Sequence, residues 1–310
     1  MKRFISYFLF FFLLPGLLGV GWTVFVVVTD CRSYKRALVM PKTATIAVCG
    51  DSQTKDGLDP ALCPGLFNFS TAATTCDQDL LRLTDLLRRN RGQVKTVLLD
   101  VSPLKIGYST EKPVSELNAG RVHALLYLYH VAEMRREFGS EGALWRDVIC
   151  TRKYNEFRKS ILRGKPWRSS MVGGYDPGTK QGFLDPKLRA RALGDVATKA
   201  EHVNRYPPAT GQEPFFAILE ESIGLVRAAG ATPIVTTMPL SGRLKAAIDP
   251  QRLAAFTAAV KATTARQNVR YLNYLSLDLP ETCWYDANHL NRQGAETFTP
   301  RLAAALAAGR

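Results

Sequence analysis

The chain has 310 residues, 46% hydrophobic and 22% charged, with 41 Lys and Arg against 27 Asp and Glu for a formal net charge of +14. That apolar fraction, without a glycine period or a cysteine-dense frame, excludes a disordered, collagen-like or disulfide-scaffold chain and suffices to bury one large core or two small ones. Six cysteines (Cys31, Cys49, Cys63, Cys76, Cys150, Cys283) contain no C-x-x-C pair, which turns the reading away from a zinc or thioredoxin-like site. No metal and no cofactor is expected.

From Phe4 to Val28 there are 25 consecutive residues without a charge, rich in Phe, Leu and Val. As a helix this run reaches roughly 38 Å, against a bilayer core of about 30 Å. It is longer than the apolar centre of a cleavable signal and ends Val-Val-Val-Thr-Asp-Cys rather than in small residues, so an uncleaved membrane anchor over residues 1–30 is expected. Lys2 and Arg3 precede the span, while Arg32, Lys35, Arg36 and Lys42 come after it. The positive-inside count alone would keep the body in the cytoplasm. The very short N-terminus instead fits a signal anchor that exports the remainder of the chain, so residues 31–310 are expected outside the cytoplasm, on the inner membrane of a cell envelope.

Five short apolar runs come next in order: Thr45–Val48, Leu66–Phe69, Val94–Val101, Thr232–Met238 and Val269–Tyr274. All are short and bounded by Gly, Pro or Asn, and all but Leu66–Phe69 carry β-branched residues, as buried parallel strands do. Helical patterns lie between and after them, at Leu80–Leu87, Phe215–Ala229, Pro250–Arg266 and about Arg292–Ala308. Alternating strands and helices predict an α/β/α sandwich around a five-stranded parallel sheet. Cys63 and Cys76 flank the second strand and are the first candidates for a disulfide, the alternative being two buried thiols.

About 110 residues separate the third strand from the fourth. A helix is predicted over Val122–Phe138, and Gly164–Gly182, rich in Gly, Pro, Lys and Ser, reads as an ordered excursion or a lid. Residues 146–205 carry 14 Lys or Arg and 6 Asp or Glu. No nucleic-acid-binding signature accompanies this charge, so no nucleic acid partner is expected. An anionic glycan or lipid surface is the partner such a patch attracts, beside the plainer reading of a solvated basic face. Trp167, Tyr175 and Phe183 are candidates for stacking on sugar rings or for ordinary packing. His123 and His130, two turns apart on the predicted helix, and His202 read as surface or packing residues.

Chemistry is expected where the strands end. In Cys49-Gly50-Asp51-Ser52-Gln53-Thr54 a serine follows the first strand through a tight turn, at the sheet edge where open α/β folds bind ligands. Placed at a helix N-terminus, Ser52 sits where N–H groups favour a developing negative charge. Near the other end, Tyr285-Asp286-Ala287-Asn288-His289-Leu290-Asn291 sets Asp286 and His289 three apart. A carboxylate at that spacing on a turn can hold one imidazole nitrogen while the other faces a nucleophile.

Together these two blocks resemble the SGNH (GDSL-type) hydrolase superfamily, including a membrane-anchored branch similar to polysaccharide O-acetyltransferases, over roughly residues 43–106 and 230–308. His289 to Ala295, His-Leu-Asn-x-x-Gly-Ala, is the stretch that looks like the envelope branch. The resemblance implies an SGNH/flavodoxin-like fold and a triad of Ser52 as nucleophile, His289 as general base and acid, and Asp286 as its orienter. It also implies an oxyanion hole of a glycine N–H and an asparagine side chain. Here the matching places read Asn68-Phe69-Ser70-Thr71-Ala72 and Leu99-Asp100-Val101-Ser102-Pro103, with serine in the first and no asparagine in the second. Either Ser102 is a replacement donor, or the hole rests on the N–H groups of Ser52 and Ser70.

The function implied is acyl-ester chemistry on a cell-envelope carbohydrate through an acyl-Ser52 intermediate, as an O-acyltransferase or a carbohydrate esterase, with an acylated carbohydrate or other acyl donor as partner. The reading of another class is a non-catalytic glycan-binding or envelope-assembly protein that kept this fold. The implied domain division is an anchor over 1–30 and an SGNH-like domain over 31–310, with a basic insertion at about 105–215.

Overall fold

The computed structural model describes residues 35–72, 74, 76–106 and 174–308, with the single positions Tyr7, Leu17 and Gly21. All of the expected span over 4–28 except Tyr7, Leu17 and Gly21, together with the predicted helix over 122–138, His123, His130, Trp167, Cys31 and Cys150, lies outside the described residues. Among the described residues, no helix is long and apolar enough to cross a membrane. Leu38–Glu111 and Gly173–Arg310 form one compact unit; the other, Met1–Ala37 and Lys112–Val172, falls almost wholly outside the described residues.

Five strands, β1 (Ile46–Cys49), β2 (Leu66–Asn68), β3 (Thr96–Asp100), β4 (Thr232–Thr237) and β5 (Arg270–Asn273), form one sheet in the order β2-β1-β3-β4-β5. Every neighbouring pair is parallel, with Val48 beside Asn68 and Leu98, Leu98 beside Ile234, and Thr236 beside Leu272. The central strands read as continuous apolar runs because both faces are covered: Ala47, Val48, Val97, Leu98 and Val235 are fully buried, as a parallel sheet requires. β5, at one edge, is only half-buried.

Seven helices are described: α1 (Ser52–Gly57), α2 (Cys76–Arg89), α3 (Arg189–Arg205), α4 (Pro214–Ala228), α5 (Gly242–Ala247), α6 (Pro250–Arg266) and α7 (Arg292–Ala307). Their starts are written in the sequence. Asp51, Ser241, Asp249 and Asn291 cap α1, α5, α6 and α7 by accepting from Gln53, Leu244, Gln251 and Gly294 N–H groups, and prolines occupy the first turns of α4 and α6, where a missing N–H costs nothing. α2 packs on α4, α1 on α7 and α3 on α5.

Two expectations need correcting. Residues 189–205 form a helix of 17 residues inside the stretch that reads as a basic excursion; its buried face is Ala192, Val196, Ala200 and Val203, small side chains whose spacing is helical. Cys63 and Cys76 do not form a disulfide with each other. Cys63 precedes β2, whereas Cys76 opens α2 beyond the other end of that strand and lines a small cavity with Cys49, Asp79 and Asp100 at the carboxyl edge.

Candidate active site

The chain leaves β1 through Cys49-Gly50-Asp51 and enters α1 at once. Gly50 is demanded by this crossing: a Cβ there would stand 2.6 Å from Thr54 Oγ1 and 3.0 Å from Asp100 Cβ, so only glycine lets β1 and β3 end this close together. Asp51 Oδ1 accepts from Gln53 N–H at 2.8 Å. Ser52 is thereby fixed as the first residue of α1, half-buried, between strands whose connections leave in opposite directions. In such sheets that crevice is where ligands bind. Asn68, buried at the end of β2, ties α1 down from behind by donating to Thr54 O and Leu58 O, both at 2.9 Å.

The second element is the loop between β5 and α7. It is pinned across its base: Tyr285 N–H donates to His289 O at 2.9 Å and Asn291 N–H to Cys283 O at 3.0 Å, and Trp284 bridges Leu290. Asn291 also donates its side-chain amide to Thr282 O at 2.7 Å while its Oδ1 caps α7. Gln53 Nε2 joins the loop to α1 through Asn288 O at 3.3 Å.

This frame brings Ser52, His289 and Asp286 into one line. His289 Nε2 lies 2.6 Å from Ser52 Oγ, and Nδ1 lies 2.8 Å from each Asp286 oxygen. Asp286 Oδ1 further accepts from the N–H groups of Asn288 at 3.1 Å and His289 at 3.0 Å. With the proton on Nδ1 donated to Asp286, Nε2 is left to accept from the serine hydroxyl. Burial alone would raise Asp286, but the His289 hydrogen bond, the His289 and Lys199 charges and the Asn288 N–H outweigh it and hold the carboxyl at about 2. Burial pushes His289 down, and the bond to Asp286 and its charge win, leaving the imidazole above its ordinary value. A carboxylate that stays ionised beside a histidine that gains a proton readily is the electrostatic requirement of a general base.

The three serines expected around an oxyanion are placed differently from one another. Ser52 opens α1, so its N–H has no intrahelical acceptor. Ser70 N–H donates to Asn68 Oδ1 at 3.1 Å, and Ser70 Oγ accepts from Thr54 Oγ1 at 2.9 Å. Ser102 is buried, its Oγ accepting from Leu104 N–H at 3.3 Å and its carbonyl from Lys105 N–H; it directly precedes the helical residues 103–106. The Ser70 N–H is thus given to the Asn68 side chain, while Ser102 Oγ accepts from the backbone of the turn that follows it.

Three features beside the triad escape a reading of the sequence alone. Lys105, 5% exposed, sets its ammonium 2.9 Å from Asp100, 3.2 Å from Asp79 and 3.6 Å from Asp51. Lys199 of α3 reaches the Asp286 loop, 3.9 Å from Asp286 Oδ1. The described part of the glycine-rich stretch, from Gly174, runs along the site: Gly174 N–H donates to Ser70 O at 2.9 Å, Gly182 N–H to Trp284 O at 3.0 Å, and Gly178 O accepts from Arg292 N–H at 2.8 Å. A Cβ on Gly182 would stand 1.8 Å from Tyr285 O, so these glycines permit a backbone-to-backbone seam. The sequence signal for this seam was the glycine spacing, and for α3 it was the 192, 196, 200, 203 pattern. The Lys105 cluster has none, because its members meet only in the fold.

Of the other residues singled out, Phe183 is buried with Arg243 over its ring at 5.5 Å, which makes it a packing residue, while Tyr175 is half-buried. His202 packs edge-on against Tyr206 with ring centroids 5.2 Å apart, and its Nε2 lies 3.3 Å from Leu104 O. Among the described residues no cluster of His, Cys, Asp or Glu is arranged to hold a metal.

No family model matches the sequence, and no curated protein matches it. Solved structures similar to it include a candidate acylhydrolase of Bacteroides fragilis, 12% identical over 90% of this chain and 95% of that one, with a TM-score of 0.44. A GDSL-like lipase of Bacteroides thetaiotaomicron is likewise similar, 11% identical over 89% of this chain and 95% of that one, with a TM-score of 0.44.

Proposed function

We propose that the protein carries out serine-dependent acyl-ester chemistry through a covalent acyl-Ser52 intermediate. One observation carries this reading: Ser52 Oγ, both ring nitrogens of His289 and the Asp286 carboxylate form a continuous hydrogen-bonded relay with contacts of 2.6 and 2.8 Å. Ser52 Oγ attacks the ester carbonyl as its proton passes to His289 Nε2. The tetrahedral oxyanion meets the Ser52 N–H at the start of α1. The ester C–O bond then breaks, and the leaving alkoxide takes the proton back from Nε2. In the second half, water or an acceptor hydroxyl gives its proton to His289 and attacks the acyl carbon; the bond from that carbon to Ser52 Oγ then breaks as His289 returns the proton to Ser52 Oγ.

The finer reading is acyl transfer or ester cleavage on an acylated cell-envelope carbohydrate, with the domain held outside the cytoplasm by the N-terminal apolar run. The His-Leu-Asn-x-x-Gly-Ala stretch and that run support it. A non-catalytic glycan-binding or assembly role is favoured by a specific observation: the Ser70 N–H is already donated to Asn68 Oδ1, and one missing oxyanion donor costs about 2.7 to 4 kcal/mol of transition-state stabilisation.

Release of p-nitrophenol from p-nitrophenyl acetate by the full chain, with and without oligosaccharide acceptors, separates these readings. Turnover that disappears in Ser52→Ala supports the acyl-serine route, and acetylated acceptor identifies transfer. Wild-type turnover no greater than that of Ser52→Ala supports the binding role and refutes the enzyme.

A further inference from the structure

Helix α3 belongs to a stretch that carries no motif, yet one of its turns grips the loop that holds the histidine. Asp195 and Lys199 are four apart and lie on the same face. Their side chains pair at 2.7 Å. Asp195 Oδ2 accepts from Ala287 N–H at 3.3 Å, Lys199 donates to Asn288 Oδ1, and Lys199 Nζ stands 3.9 Å from Asp286 Oδ1. Three consecutive loop residues are therefore addressed by one pair of side chains. The Lys199–Asp286 separation is too long for a good hydrogen bond, so the ammonium acts on the carboxylate through its field. The same field opposes a second positive charge on the imidazole that Asp286 orients.

We infer that Lys199, paired with Asp195, is a positioning residue that holds the side chains of the 286–288 loop and favours the neutral, proton-accepting form of His289. This rests on the acyl-transfer role proposed for the triad. The charged groups around His289 come from three segments: Asp286 from its own loop, Asp56 with Lys55 bonded to it at 2.9 Å from α1, and Lys199 with Asp195 from α3. Asp286 and Asp56 favour the imidazolium, and Lys199 disfavours it. Without that cation the ring keeps its proton to higher pH, and the base is lost over a wider range. Met, Gln and Arg keep most of the length of this partly exposed side chain, so these replacements probe its charge rather than its volume.

The test is a histidine NMR titration of the full chain, wild type against Lys199→Met, Lys199→Gln and Lys199→Arg. The chain has four histidines, and His289→Gln assigns the resonance. Met and Gln are expected to raise the His289 pKa by about one pH unit, and Arg to restore the wild-type value. Gln keeps a donor for Asn288 while deleting the charge, so a shift shared by Met and Gln reads the charge itself; should Met fail to fold, Gln against Arg decides. The acid limb of kcat/KM for ester hydrolysis moves to higher pH with the same variants. A His289 titration unchanged in the charge-deleting variants overturns the inference while leaving the acyl-serine reading intact. Loss of the acyl-serine reading, by an inert wild type, leaves the titration free to show the Lys199 effect.

Discussion

The Lys105 cluster makes the stability of this protein depend on pH in a direction opposite to that of most buried salt bridges. Three carboxylates surround one ammonium, and the closest, Asp100, has a fully buried side chain whose Oδ1 lacks a hydrogen-bond partner among the described residues. Burial, opposed by the Lys105 charge and aided by those of Asp51 and Asp79, lifts Asp100 to about 7 from its ordinary 3.8. The folded chain therefore holds a proton between pH 4 and 7 that the unfolded chain releases. Where the native state binds more protons, stability falls as pH rises. At about 1.4 kcal/mol per pH unit, and with most of the change between pH 5 and 7, Asp100 removes about 3 kcal/mol between pH 5 and pH 8. Asp56 and Asp79, raised by burial, and His289, raised by Asp286, act in the same sense. Asp286, lowered to about 2, acts in the opposite sense, but its effect is complete below pH 5. Urea unfolding of the wild type at pH 5, 6, 7 and 8 should show the decline, and Asp100→Asn should flatten most of it. Wild-type stability that is level or rises from pH 5 to pH 8, or the full slope persisting in Asp100→Asn, would refute this account of the cluster.

Other perturbations reach the site itself. Asp286→Asn removes the acceptor that fixes the His289 tautomer and should lower kcat for ester hydrolysis by about 10⁴-fold while leaving the far-UV spectrum unchanged; a loss under tenfold would separate Asp286 from the reaction. The kcat/KM profile should fall on the acid side with an apparent pKa above the ordinary histidine value of 6.5, since His289 is raised and loses its base function once protonated; a limb below that value contradicts the assignment. Gly182→Ala drives a Cβ into the Tyr285 carbonyl and should destabilise the fold by about 1–3 kcal/mol in thermal or urea unfolding and lower activity by moving the histidine loop; wild-type stability and turnover would show that the 174–182 seam does not hold that loop.

The strands were legible because each lies in a short apolar run, β-branched in all but Leu66-Phe67-Asn68, and Thr232–Thr237 begins where the run Thr-Pro-Ile-Val-Thr-Thr begins. Even half-buried β5 could be read, from Val269-Arg270-Tyr271-Leu272-Asn273. Ser52 and His289 could be placed together from sequence because Gly50-Asp51-Ser52 after the first strand and the Asp286-x-x-His289 spacing before the last helix together resemble one family's two blocks; in the fold, Asp51 caps α1 beside the serine and Asn291 caps α7 two residues after the histidine. Helix α3 hid because its buried positions are Ala and Val among basic side chains, which resembles a solvated stretch more than a core-facing helix. Lys105 and Lys199 were illegible for a different reason. Their partners come from residues 51, 79 and 100 in one case and 286–288 in the other, and convergence of that kind is a property of topology rather than of local pattern. Of the two readings left open for Cys63 and Cys76, the disulfide is not the one found: Cys63 comes before β2 and Cys76 opens α2 after it, an order that spacing in the sequence does not convert into a distance.

The most direct test of an activated serine is intact mass measurement of the full chain after reaction with a fluorophosphonate, alongside Ser52→Ala and His289→Ala. A relay with Ser52 Oγ 2.6 Å from His289 Nε2 predicts one phosphonyl adduct, mapped to Ser52, on the wild type and none on either variant. A folded wild type that stays unmodified, or an adduct that persists in Ser52→Ala, would contradict it.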